Sequence, residues 1–150
     1  MLSSQLRRST LMLCVLAAVI AAPATAADIG QVKVAKGQVT IERDRQTLPV
    51  TVGMRLQPSD VLKTGDDGSV GVTMTDNSLL SAGPNSILSF DRYEFDTTTN
   101  AGKFDSTLQK GSLSVVSGRI AKQSPEAMTV RTPGTILGVR GTEFVVSAGS

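Results

Sequence analysis

The chain has no histidine and no tryptophan, and its single cysteine, Cys14, lies near the start. General acid–base and nucleophilic catalysis most often recruit His or Cys, so a Ser–His–Asp or Cys–His arrangement cannot form within one chain. No Ser-x-x-Lys occurs, and no Asp-Thr/Ser-Gly. The same absences remove the usual zinc and copper ligands and leave only oxygen donors for a hard cation. Aromatics are scarce: Phe90, Tyr93, Phe95, Phe104 and Phe144 are all there are. No stretch reaches the roughly 20 apolar residues that a membrane-spanning helix needs.

The longest apolar run, from Leu11 to Ala22, follows Arg7-Arg8 and precedes Ala24-Thr25-Ala26. A positive start, a short apolar stretch and a small-x-small site describe a cleavable secretory leader over residues 1–26. The twin-arginine pattern is not completed after Arg8. Cys14 has Leu13 where a lipoprotein signal wants a small residue, so it reads as an apolar leader residue. The expected product, residues 27–150, is a periplasmic protein without a membrane span.

Taking the leader away changes the charge reading. The chain has 15 Lys+Arg against 13 Asp+Glu, for a net charge of +2. Arg7 and Arg8 account for the excess, so the exported part is neutral. No basic surface remains to attract nucleic acid. Its 124 residues suit one domain with a single core of Val, Leu and Ile.

Along that domain, apolar residues alternate with period two, which predicts strands. Val32 and Val34, then Val39 and Ile41, precede a polar run from Glu42 to Gln46, and Leu48, Val50 and Val52 resume the pattern. This predicts a hairpin with a charged tip, its return strand at an edge because Pro49 cannot donate to a ladder. Turn signals recur at Pro58-Ser59-Asp60, Gly65-Asp66-Asp67-Gly68, Asp76-Asn77-Ser78 and Gly83-Pro84-Asn85-Ser86. The Asp67-Gly68 pair favours a turn with positive φ. Tyr93 and Phe95 share one face of a strand, and residues 97–102 form a polar loop. The only plausible helical turn lies between Ser117 and Ala127, limited by Pro125. The expected fold is all-β: short antiparallel strands with Gly/Asp turns, in a sandwich, roll or short β-solenoid.

Two candidate sites read more simply as turns. Asp66-Asp67 with Asp60 or Asp76 offers carboxylates to a Ca²⁺ ion, but the spacing is not that of the twelve-residue loop and no Glu closes it. Gly134, Gly138 and Gly141 match neither phosphate-loop pattern and read as positions where strands turn or approach closely. Arg131 and Arg140 flank them, with Glu143 as a possible partner. No catalytic, cofactor or metal residue is assigned.

Two motifs about sixty residues apart carry a resemblance. One is Leu62-Lys63-Thr64-Gly65-Asp66-Asp67-Gly68-Ser69-Val70, and the other is Val130-Arg131-Thr132-Pro133-Gly134 continuing to Arg140-Gly141-Thr142-Glu143-Phe144. With Gly37-Gln38-Val39-Thr40-Ile41 before them and Lys110-Gly111-Ser112-Leu113 between them, they resemble the FecR domain, a periplasmic all-β module of bacterial cell-surface signalling. The likeness runs from about residue 30 to 147. Asn77 stands where the family commonly has Gly, which a residue tolerant of left-handed backbone can absorb. In the family's namesake a membrane helix links this module to a cytoplasmic sigma-factor regulator. Here a cleavable leader replaces it, and no cytoplasmic segment is seen.

The resemblance implies a binding or adaptor module, not an enzyme, that engages a cell-envelope protein. Strand addition at an exposed edge is the expected mode, with the hairpin around Pro49 and the strand Phe144 to Ser147 as candidate edges. The alternatives are a structural envelope subunit, marked by self-association, and a cell-wall glycan or small-ligand binder. The few aromatics count against the last.

Overall fold

The computed structural model describes residues 20–22, 27–139 and 142–149. The positive start and the cleavage site of the expected leader lie outside the described residues, as do Arg140 and Gly141.

One strand organises everything else. β9 (Gly102–Val116) is 15 residues long and serves two sheets. Its first part pairs with β8 (Ile87–Phe95) and its last part with β7 (Leu79–Ala82), both antiparallel. β7, the turn at residues 83–86 and β8 thus run back along β9 as one long folded hairpin. The fold in it is set by Gly111, at φ +95°, whose missing Cβ would sit 2.1 Å from the Ser86 hydroxyl oxygen. Only glycine meets both demands. Ser86 and Ser112 then tie the corner, with the Ser112 N–H donating to Ser86 Oγ at 3.1 Å.

From this hub the sheets extend in opposite directions. In the first, β7 pairs with β6 (Ser69–Met74), β6 with β1 (Gly30–Lys36), and β1 with the two-residue β4 (Arg55–Leu56). In the second, β8 pairs with β5 (Val61–Thr64), β5 with β2 (Val39–Arg43), and β2 with β3 (Gln46–Pro49). On the other side of β9 lie β10 (Met128–Thr132), hairpinned to β11 (Thr135–Gly138), and β12 (Glu143–Ala148). The sheet curls into an all-β roll, which decides among the architectures that alternation left open.

The β9–β10 pairing is parallel. Parallel neighbours need a crossover of about a dozen residues. The segment after β9 supplies it, as helix α1 (Arg119–Gln123) and a single 3-10 turn (Pro125–Ala127). The helical turn expected here is present, and Pro125 starts the second piece.

The core is built almost entirely from aliphatic side chains. Val32, Val72, Leu80, Val115, Leu113 and Val146 from the first sheet meet Ile41, Leu62, Leu88, Leu108 and Val130 from the second, with Phe90 and Phe104 filling the middle. Truncating one of these, such as Leu113→Ala, costs about 2–5 kcal/mol.

Three local expectations need correction. Val34 is 45% exposed because Lys33 bulges out of β1, turning the residues after it by one register step. Val52 is exposed because β3 ends at Pro49 and residues 51–54 turn. Gly68 has no positive φ; it is glycine because a Cβ there would meet the Gln38 carbonyl oxygen at 2.3 Å. The left-handed position near it is Gly37, at φ +64°. Asn77 does absorb a left-handed backbone, at φ +68°.

Candidate docking site

Among the described strands the roll leaves four edges, and they are not alike. β3 ends in Pro49, and β4 is two residues long, both ways in which edges are blunted. β12 is six residues long, has no proline, and pairs only with β9 among the described strands. β11, also unpaired on its far side, carries the exposed Ile136. Both expected edges, around Pro49 and from Phe144 to Ser147, are edges of the sheet, and β12 is the longer and less protected.

The backbone phase of β12 follows from one hydrogen bond. The Ser117 N–H donates to the Thr142 carbonyl at 2.8 Å, so the 117/142 pair bonds across the ladder. In an antiparallel ladder every second pair does so. Phe144, Val146 and Ala148 therefore direct their main-chain groups at β9. Glu143, Val145 and Ser147 direct theirs outward. Val145, at the centre, is 70% exposed.

Behind the edges, two buried carboxylates act as ties. Asp60, 1% exposed, precedes β5 and receives Arg43 from β2: Nε donates to Oδ1 at 2.8 Å and Nη2 to Oδ2 at 2.6 Å. The Gln57 N–H also donates to Oδ2, at 2.8 Å. Arg43 was expected in a solvated tip. It is instead mostly buried, because the tip is only the two-residue turn Asp44-Arg45, both with positive φ. The Asp60 carboxylate holds the Arg43 guanidinium's proton more firmly than usual.

Asp76 is fully buried with no cation against it among the described residues. It is held by donors: the Ser78 N–H at 3.0 Å, the Ser78 hydroxyl at 2.8 Å, the Tyr93 hydroxyl at 3.1 Å and the Ile120 N–H at 3.3 Å. Its main-chain N–H donates to Tyr93 Oη at 2.9 Å, and its carbonyl accepts the Arg119 N–H at 2.8 Å. One side chain thus joins the β6–β7 turn, β8 and the start of α1. Burial pushes the Tyr93 phenol well above its ordinary value. The turn itself was legible as Asp-Asn-Ser, whose aspartate bonds the backbone two residues on; its reach to Tyr93 and α1 was not.

Three of the carboxylates of the cation reading are engaged apart from one another. Asp60 and Asp76 belong to separate networks, and Asp67 accepts the Gln38 N–H at 3.1 Å. Among the described residues no three acidic or sulfur ligands gather. Gly134 sits in the two-residue turn between β10 and β11, as expected, while neither it nor Gly138 has a positive φ or a close neighbour around a would-be Cβ. Arg131 is exposed on β10; its expected counterpart Arg140 lies outside the described residues. Of the five aromatic side chains Phe90 and Phe104 are buried, and Tyr93, Phe95 and Phe144 are partly buried.

The described residues define an all-β roll with a bare edge strand and internal polar ties. Residues 60–150, well over half of the chain, match the family described as FecR protein, and the chain belongs to that family. The match begins at Asp60, so the opening strands β1 to β4 lie before it, although they pair into the same sheets. FecR proteins are envelope-associated and take part in the regulation of cell-surface signalling. No curated protein and no solved structure matches the chain. Among the described residues no helix is long and apolar enough to cross a membrane.

Proposed function

We propose that the protein is an exported periplasmic adaptor, without catalytic activity, that engages a cell-envelope protein in cell-surface signalling by accepting a strand along β12. The observation that carries this reading is the outward set of main-chain groups on Glu143, Val145 and Ser147, on an edge with none of the blunting devices of β3 and β4. Strand addition draws affinity from such main-chain groups and specificity from the alternate side chains. The partner class is a cell-envelope protein with an extended segment to offer.

The test is in-cell crosslinking with two proline variants. Val145→Pro removes an outward N–H and leaves the β9 ladder whole. Val146→Pro removes an inward one and weakens the fold itself. A single envelope protein captured by the parent chain and lost with Val145→Pro, while that variant keeps the parent's unfolding midpoint, supports strand addition. Capture that survives Val145→Pro excludes this edge as the contact.

A further inference from the structure

The outward face of the first sheet is unlike an ordinary solvated sheet. Its lateral rows can be traced from the register. Val34 on β1 pairs with Gly71, Gly71 with Ser81, Ser81 with Ser114, and Ser114 with Val145. The next outward row runs Gln31, Thr73, Leu79, Val116 and Glu143. Across β6, β7 and the last part of β9 these rows hold no charge. Charge appears only at the borders, as Arg55 on β4 (beside Gln31), Lys33 and Lys36 on β1, and Glu143 on β12. The second sheet, by contrast, carries the Lys63–Glu42 and Lys103–Asp105 pairs. Val34, Leu79 and Val145, three exposed large apolar side chains, all stand on the uncharged face, around a shallow depression lined by Val34, Ser69, Gly71 and Ser81. Depletion of charge at the centre and polarity at the rim is the anatomy of an interface core.

The pattern fits itself. Consider a two-fold axis parallel to β7, lying above the face. It sets β7 over its own copy, β6 over the partner's β9, and β1 over the partner's β12, with levels along the strands unchanged. Val34 then faces the partner's Val145 across small Gly and Ser side chains, and Leu79 meets the partner's Leu79. Lys33, whose Nζ already reaches back to Gln31 Oε1 at 2.7 Å, comes to the level of the partner's Glu143. The operation generates this ion pair twice and puts no like charges together. Face-to-face sheets pack about 10 Å apart, near alignment, which small side chains permit.

We infer that this face binds a second copy of the chain in a closed two-fold dimer. The inference does not rest on the strand-addition reading, which draws its affinity from the main-chain groups along the edge of β12, whereas the dimer uses the outward face of the sheet. The patch is roughly 20 Å across by 17 Å along the strands, from strand spacing and rise. That is small against the ~800 Å² per partner of a standard interface, so the dimer is weak and concentration-dependent. Two-fold closure limits assembly to the dimer.

The experiment is sedimentation equilibrium on the full chain, expressed with its leader and purified after export. A monomer–dimer equilibrium is expected, lost in Ser81→Arg, which places like charges at the centre while the unfolding midpoint stays put. Lys33→Glu and Glu143→Lys each weaken the dimer, and the double variant restores it, a rescue that no loss of folding mimics. A chain that stays monomeric to about 1 mM overturns the inference. So does a dimer that Ser81→Arg leaves intact, as an edge-to-edge dimer would be, or a double variant no stronger than the single ones.

Discussion

Arg43 and Asp60 meet as a bidentate pair, 17 residues apart in the chain, with the carboxylate almost wholly removed from water. The same guanidinium donates Nη2 to the Arg55 carbonyl at 2.9 Å. The pair therefore pins the β2 end, the strand β4 and the turn before β5 together.

Arg43→Ala leaves the Asp60 carboxylate buried without its partner, and the expected loss is about 3–5 kcal/mol. Removing both, as Arg43→Ala with Asp60→Ala, is expected to cost less than the sum of the single changes. Urea denaturation of the three variants measures this. Additive losses would show that the pair does not act as a unit.

Tyr93 is the chain's only tyrosine, and there is no tryptophan. Phenolate absorbance therefore reports one residue. Burial raises its pKa in the folded protein above the ordinary 10.0, so between pH 10 and the folded value the unfolded chain ionises first. Stability is full below pH 10 and falls as pH rises beyond it. An alkaline titration is expected to show phenolate appearing only with loss of the fold, and Tyr93→Phe to remove this slope. A phenol titrating reversibly near 10 in folded protein would contradict its burial.

Asp76→Ala strips the acceptor from the Ser78 and Ile120 N–H groups and from the Tyr93 hydroxyl. Each buried donor left unsatisfied costs about 1–3 kcal/mol. The start of α1 is expected to loosen first, since the Ile120 N–H is the donor it commits to this site. Hydrogen exchange is the measurement: faster exchange at residues 118–120 than at the β6 core strand is the expected order. Uniform acceleration would argue against a local tie.

Two glycines make a paired test of backbone demand. Gly111→Ala must place a Cβ 2.1 Å from Ser86 Oγ at φ +95°, and we expect it to be destabilised by more than about 2 kcal/mol or not to fold. Gly134→Ala meets nothing within 4 Å and no positive φ, so it is expected to be neutral or to gain about 0.4–1 kcal/mol. Thermal unfolding of both variants checks the contrast. Similar losses at the two sites would refute it.

Much of the fold was legible because it depends on local rules. Period-two alternation located Val39 and Ile41, the core-facing residues of β2. Asn77 was readable as left-handed, and Pro49 as an edge, because each follows from the residue's own covalent geometry. The candidate edges at Pro49 and Phe144 to Ser147 came from the same reasoning. Misreadings cluster where a neighbour in space overrules the chain. The bulge at Lys33 turned Val34 outward, and the Gln38 carbonyl, not a turn type, demanded glycine at position 68.

The sequence by itself determined the class of the domain, its strand pattern and its lack of the side chains that catalysis most often uses, since these rest on composition and on nearest neighbours along the chain. Its likeness to FecR domains was also readable there, in two turn-and-strand motifs. Only the tertiary structure decided that β9 serves two sheets, that Asp60 belongs to Arg43 and Asp76 to Tyr93, and that two outward rows across five strands, charged only at their border, form one face. Those outcomes depend on register across residues tens of positions apart. A one-residue shift of any strand would send its side chains to the other side of the sheet.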